Sequence, residues 1–207
     1  MGRDPYRWLA PRYDRLAKFN EPLVRIAVDR CPPDRYPRVL DVGCGTGAMT
    51  GPYLEGGAKV TGIDGSPSML EQARANHGDR ATWVEGDARS MPFDAGSFDL
   101  AVAMMMIHEI AEADRDAVVT EMARVVAPGG AVLIIDHHSG GLAFPKGWMR
   151  RVPVTAAELI AGPRHFGRYL GFLRSGGVPA LASRLGLSVE RQKVVGGGSF
   201  GFYEIGA

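Results

Sequence analysis

The densest chemistry in the chain is the run Val39-Leu40-Asp41-Val42-Gly43-Cys44-Gly45-Thr46-Gly47, an apolar strand that empties into a glycine-rich turn. Glycines at 43, 45 and 47 let the backbone take positive φ and come close to a ligand, and a helix opening beyond them offers unpaired N–H groups to an anion. Two more acids stand where strands end: Asp64 after Val60-Thr61-Gly62-Ile63, and Asp87 within Glu85-Gly86-Asp87-Ala88. Ligands of open parallel sheets collect at the carboxyl edge, so Asp41, Asp64 and Asp87 are expected around one site. There Asp64 can accept both hydroxyls of a ribose and Asp87 an adenine amino hydrogen, with Ser66, Met69 and Ala88 beside the ring. Taken singly, each acid also reads as a helix cap or a turn former, Asp87 as readily as a ligand contact.

Two ligand classes suit such a turn. Gly43-Cys44-Gly45-Thr46-Gly47-Ala48 satisfies the relaxed dinucleotide pattern G-x-G-x-x-A, and Asp64 lies at the ribose distance for either class. Charge separates them. A pyrophosphate brought to the turn would be repelled by the Asp41 carboxylate. Adenosylmethionine brings an ammonium and a sulfonium, which the same carboxylate attracts, while the turn's N–H groups receive the ligand's own carboxylate.

Histidines mark the other half of the chemistry. His108 follows the fourth strand and is the first candidate for a general base, since an ordinary imidazole accepts a proton near neutrality. The competing reading is a histidine that bonds the cofactor or caps the loop. Glu109 is a lesser candidate of the same kind. His137 and His138 follow Asp136 at the end of the fifth strand, where His137 is a weaker catalytic candidate and His138 is expected to touch the acceptor. Adjacent residues on an extended chain point to opposite sides, so no metal is expected there. Downstream, Phe144, Trp148, Met149, Arg150 and Arg151, then Arg164, His165, Arg168 and Tyr169, have the makings of a cover for a flat apolar acceptor. Trp148 and Arg151 are its substrate-binding candidates. Phe166, Leu170 and Leu173 read as core.

These residues need a scaffold. Strand patterns at 38–42, 59–63, 82–85, 100–104 and 132–136 alternate with helical ones, the mark of a parallel sheet wound with helices. Ser66-Pro67 reads as cap and first turn of a helix through residue 75. Asp114 opens another, with Val118, Met122 and Val125 on one face, closed by Pro128-Gly129-Gly130. Strands at 188–195 and 200–205, joined through Gly196-Gly197-Gly198, should be antiparallel neighbours. The expected fold is α/β: a Rossmann-like, mostly parallel sheet of seven strands with helices on both faces. One domain spans residues 1–207, made of an N-terminal helical cap (1–37), a cofactor-binding core (38–136), a helical lid insertion between strands five and six (139–165), and a last helix with two strands (166–207). The cap carries Tyr6, Trp8, Leu9, Tyr13, Leu16 and Phe19 at helix-compatible spacing broken by Pro5, Pro11 and Pro22, and should lie across the sheet's open mouth.

At 207 residues the chain suits one domain with a full core. No apolar run reaches the roughly 18 residues of a membrane span, and residues 1–8 are too polar for a signal peptide, so a cytoplasmic protein is expected. Cys31 and Cys44 have neither metal nor disulfide spacing. Residues 1–136 carry 15 Lys+Arg against 20 Asp+Glu, and residues 137–207 carry 9 against 3. This basic tail reads as a solvated face before it reads as an anion-attracting one.

Val39 to Gly47, Ile63-Asp64, Gly86-Asp87-Ala88, Phe98-Asp99-Leu100 and Pro128-Gly129-Gly130 resemble, in order and spacing, the successive motifs of class I S-adenosylmethionine-dependent methyltransferases. The resemblance covers about residues 38–136. It implies that adenosylmethionine is held by Asp41, Gly43, Cys44, Gly45, Thr46, Gly47, Asp64, Gly65, Ser66, Met69, Gly86, Asp87, Ala88 and Met104. Tyr13-Asp14-Arg15-Leu16 is similar to the N-terminal segment of the ubiquinone/menaquinone group, which puts Tyr13 over the cofactor. Met104 to Ile110 departs from the quinone enzymes, and Ile107-His108 is instead similar to the Leu-His of general small-molecule methyltransferases. The implied partner is a small methyl acceptor that takes the methyl on oxygen, nitrogen or carbon, with a homodimer left open. No dense basic tract or Pro-Pro-Tyr-like sequence points to nucleic acid. An NAD(P)-dependent oxidoreductase, though without a Tyr-x-x-x-Lys spacing, and a non-catalytic adenosylmethionine-binding protein remain the alternatives.

Overall fold

Alternation of side chains along the central strands sets the architecture of the computed structural model, which describes residues 4, 6, 7, 10, 13, 14 and 18–206. Pro5, Trp8, Leu9, Pro11, Arg15 and Leu16 of the expected cap lie outside these residues. Along β1 (Arg38–Val42), Val39 faces one way and Leu40 and Val42 the other, and all three are fully buried. The same alternation runs through β4 (Phe98–Met104) and β5 (Val126–His137), so the sheet is covered on both faces.

Seven strands lie in the order β3-β2-β1-β4-β5-β7-β6, with β2 at Lys59–Asp64, β3 at Thr82–Glu85, β6 at Val189–Val195 and β7 at Phe200–Gly206. β1 to β5 pair in parallel, and β7 runs antiparallel to both β5 and β6. Strand order reverses between β1 and β4, which opens a crevice at their carboxyl ends.

One face carries α1 (Glu21–Arg30) and α2 (Thr50–Glu55), whose Leu23, Val24, Ala27 and Tyr53 pack on Val39, Leu100, Val102 and Leu133. Pro22, expected to break a helix, stands in the first turn of α1, where its missing N–H costs nothing. On the opposite face, α4 (Glu112–Val125) buries Val118, Met122 and Val125, each worth about 1.5–3 kcal/mol of transfer free energy. It begins two residues before Asp114 and hands over directly to β5 at Val126, with Gly129 at φ +83 shaping the bend. α3 (Pro67–His77) is capped by Ser66, whose hydroxyl accepts from the Met69 N–H at 3.2 Å.

Between β5 and β6 come three helices: α5 (Lys146–Ile160), α6 (Pro163–Arg174) and α7 (Gly177–Arg184). On α6 the fully buried residues are Tyr169 and Phe172; Phe166, Leu170 and Leu173, expected as core, are only partly buried. The helix is turned so that its aromatic pair, rather than the aliphatic one, meets His108 and the sheet's carboxyl rim. Among the described residues no helix is long and apolar enough to cross a membrane.

Candidate functional site

A cavity of about 870 Å³ opens where the sequence places its acids, at the carboxyl ends of β1, β2, β3 and β4. Its wall includes Tyr13, Gly43, Gly45, Asp64, Gly65, Met69, Gly86, Asp87, Ala88, Met104 and Glu109, eleven of the residues singled out in the sequence. Tyr6 of the expected cap and Arg168 of the expected cover also line it, as do Met105, Met106 and Ile110, which are not expected there. Met105 sits at φ +55, a left-handed conformation that costs a non-glycine residue of order 1 kcal/mol and is characteristic of functional rims. Its N–H is held by the Ile135 carbonyl at 2.8 Å. No sequence signal marks a strained methionine.

The glycine turn is built by the strands around it. Gly43, Gly45 and Gly47 all take positive φ, and a Cβ at Gly43 would meet the Met106 side chain at 3.0 Å. The turn extends through residue 49 and the helix opens only at Thr50, with Pro52 in its first turn, so the N–H groups are presented by the turn rather than by a helix end at Gly47. Asp64 locks the arrangement. Its Oδ2 accepts from the Gly45 N–H at 2.9 Å and its Oδ1 from the Ser66 N–H at 2.8 Å. Burial pushes its carboxyl upward in pKa, a tendency these N–H groups oppose. The carboxylate faces the cavity, where a diol can reach its remaining acceptor capacity.

Other expected contacts sit elsewhere. Asp41 is 2% exposed and accepts from the Thr50 hydroxyl at 2.7 Å; burial pushes it up to about 7. Cys44 is buried, and Thr46 and Gly47 face a second cavity of about 700 Å³ on the far side of the turn. Ser66 is also buried, spent on the α3 cap and on Asp4, to which its hydroxyl donates at 2.9 Å. Asp87 lines the cavity but is paired with Arg89, whose Nη2 donates to it at 2.6 Å and whose Nη1 reaches Asp114 at 3.1 Å. The Arg89 guanidinium holds the Asp87 carboxyl below its ordinary range.

His108 does not open onto this cavity. It is 2% exposed, in the 3-10 turn Ile107–Glu109, with Nδ1 2.7 Å from Asp136 Oδ1. Burial alone would lower its pKa, but the Asp136 carboxylate prevails and lifts it above the usual imidazole range. His137 is fully buried beside it, and burial lowers its pKa. His138 points the other way, its Nδ1 2.8 Å from the Tyr203 hydroxyl. Arg151 spends its guanidinium on the carbonyls of His138 and Gly198 at 2.6 and 3.1 Å, tying α5 to the β6–β7 turn, and Trp148 stands exposed on α5. Glu109, by contrast, faces the cavity and accepts from the Tyr6 hydroxyl at 2.6 Å.

Five carboxylates line the cavity, those of Asp64, Glu85, Asp87, Glu109 and Asp114, against two guanidiniums, those of Arg89 and Arg168. Such a wall attracts a cation and repels a pyrophosphate. A nucleoside carrying a positive sulfur and an ammonium fits the residues present: a diol acceptor in Asp64, close backbone at Gly43 and Gly45, and apolar flanks in Met69 and Ala88.

Residues 39–130 match the family model of a methyltransferase domain. An uncharacterised methyltransferase of Synechocystis is 31% identical over 154 residues, covering 72% of this chain and 70% of that protein. The demethylmenaquinone methyltransferase of Thermus thermophilus is 33% identical over 176 residues, 78% of each chain. Among solved structures, the putative methyltransferase of Haloferax volcanii, in complex with a methyltransferase activator, superposes with a TM-score of 0.74 at 20% identity, covering 100% of this chain and 99% of that one.

Proposed function

The chain belongs to the S-adenosylmethionine-dependent methyltransferases, and we propose that it methylates a small, flat, largely apolar molecule bound between Met104, Met105, Met106 and Ile110 on one side and Glu109 on the other. The observation that carries this reading is the cavity itself, acidic where a positive cofactor must lie and methionine-lined where its methyl would emerge. The Thermus relative, named for a demethylated menaquinone, supports a quinone-like or phenolic acceptor.

Adenosylmethionine supplies an electrophilic methyl on a positively charged sulfur. The protein's work is to hold the acceptor close, in line and away from water. In this reading Asp64 receives the ribose hydroxyls, the turn at Gly43 and Gly45 lets backbone meet the amino-acid end, and Tyr13 covers the ligand. Met69 and Ala88 border the adenine, and Gly65 and Gly86 leave room for it. Asp41 acts through its field and through Thr50 rather than by touching the ammonium. Cys44, Thr46, Gly47 and Ser66 shape the turn and the α3 cap. Where the acceptor nucleophile is a hydroxyl, Glu109 is the carboxylate placed to take its proton, and His108 with Asp136 stands behind it. The segment around Asp4 and Tyr6, tied to Ser66, Ser68 and Glu109, acts with α5 and α6 as the cover that excludes water.

The test is methyl transfer from labelled adenosylmethionine to a panel of quinols, phenols and small amines. The expected result is label in a flat aromatic acceptor, with Glu109→Gln lowering kcat more than it raises the acceptor KM. Label found only in charged, non-aromatic acceptors would refute the proposed acceptor class.

A further inference from the structure

Behind the Glu109 wall, three histidines from three elements turn toward one carboxylate. His137 ends β5, His108 lies in the turn after β4, and His165 stands in the first turn of α6. Glu158, in the last turn of α5, faces all three. Its Oε1 is 3.4 Å from His137 Nε2 and 3.6 Å from His108 Nε2, and its Oε2 is 2.6 Å from His165 Nε2. The ligating atoms of His108, Glu158 and His165 lie within 4.8 Å of one another.

Hydrogen bonding accounts for only part of this cluster. His137 is completely buried, with no partner at Nδ1 and only the Glu158 carboxylate, 3.4 Å away, at Nε2. Glu158 Oε2 also lacks one, because the direction from His165 Nε2 is wrong for a hydrogen bond despite the short separation. Leaving a buried imidazole nitrogen unsatisfied is destabilising, and a buried carboxylate oxygen more so. Asp136, fully buried, engages His108 at Nδ1, which leaves Nε2 facing Glu158 Oε1 at 3.6 Å, too far for a hydrogen bond. A single cation between His108 Nε2, His165 Nε2 and the Glu158 carboxylate would give Glu158 Oε2 the partner it lacks.

We propose that His108, Glu158 and His165 bind one divalent first-row transition-metal ion of the zinc type, with His137 packed against Glu158 beside it. Donors about 2.0–2.1 Å from a tetrahedral ion lie about 3.4 Å from one another, close to the 3.6 Å between His108 Nε2 and Glu158 Oε1, whereas His165 Nε2, 2.6 Å from Oε2, would have to draw back as the ion enters. Two imidazoles beside one carboxylate select zinc and its neighbours over magnesium or calcium, which require oxygen. The Asp136–His108 pair is the outer carboxylate that fixes the tautomer and orientation of a ligating ring. The ion would pin α5 and α6 to the carboxyl rim of β4 and β5. It would also border the cavity, since His165 Nε2 lies 4.0 Å from Glu109 Oε1. The sequence gives no expectation of a metal because its ligands are scattered over 58 positions, and the His137-His138 pair that invites the idea diverges: His138 faces Tyr203.

The test uses the full chain stripped with a chelator and titrated with Co²⁺, read by visible d–d absorption and by metal analysis after desalting. One Co²⁺ per chain with tetrahedral-intensity bands is expected, displaced by Zn²⁺, and Zn²⁺ should raise the thermal midpoint. Glu158→Gln and the partly exposed His165→Ala should each weaken Co²⁺ binding by about a hundredfold or more, and Asp136→Asn by about 10–100-fold. His77→Gln, a histidine outside the cluster, should bind as the parent does. Adenosylhomocysteine affinity, measured separately on His165→Ala, reports that the fold is intact. Absence of stoichiometric Co²⁺ binding by the parent chain would overturn the proposal, as would equal binding by Glu158→Gln, His165→Ala and the parent.

Discussion

Replacing Asp64 by alanine isolates the contact on which cofactor recognition depends. In the assigned pose its carboxylate accepts two ribose hydroxyls, and hydrogen bonds to a charged group contribute about 1.5–3 kcal/mol each. At the lower end the loss is about 3 kcal/mol, and with about 1.4 kcal/mol per tenfold in affinity this is a weakening of roughly a hundredfold. A second loss adds to it, because the Gly45 and Ser66 N–H groups lose their acceptor and the turn loosens. Asp64→Asn separates the two: an amide oxygen can keep one backbone bond, but its NH₂ cannot accept from the other N–H, so an intermediate loss is expected. Calorimetry with adenosylhomocysteine reads both, with thermal denaturation as a check that each variant is folded. His108→Ala, whose ring lies behind the wall, should lose far less affinity. A folded Asp64→Ala protein binding within about fivefold of the parent, or losses equal to those of His108→Ala, would refute the placement.

Two further outcomes follow from the same turn. Asp41 is carried by burial from 3.8 to about 7. Its folded-state pKa is raised, so the stability it contributes is fully present below about pH 4 and is lost as pH rises through about 7, an effect of roughly 4 kcal/mol. Asp41→Asn should therefore gain on the parent between pH 4 and pH 8 in urea denaturation, and parallel pH profiles would show that the carboxyl is not desolvated. Gly43→Ala places a Cβ at positive φ against Met106, at an expected cost of about 1–3 kcal/mol, and should lower both the thermal midpoint and adenosylhomocysteine affinity; an unchanged midpoint would mean that the turn relaxes freely.

Local features were legible where neighbouring residues alone decide the conformation. The bounds 38–42 of β1 and 82–85 of β3 follow from β-branched and apolar runs between turn formers. The Ser66-Pro67 start of α3 follows from cap chemistry, and the antiparallel β6–β7 pair from its three linking glycines. Legibility failed where a side chain's neighbours are remote. Arg151, expected at the acceptor, is consumed by the carbonyls of His138 and Gly198. Asp87, expected at adenine, is shared with Arg89, and the buried stripe of α6 falls on Tyr169 and Phe172.

The sequence by itself determined the sheet, the glycine turn and the acids at its rim, because the pattern of apolar residues and the few residues tolerating positive φ act within a handful of positions. Only the tertiary structure decided which polar groups are spent on one another and which face the cavity. Burial and distance settle that question, and they are properties of packed elements rather than of neighbours in the chain: Asp41 sinks beneath the turn, Asp64 remains at the cavity wall, and His108, His137, Glu158 and His165 converge from four separate elements.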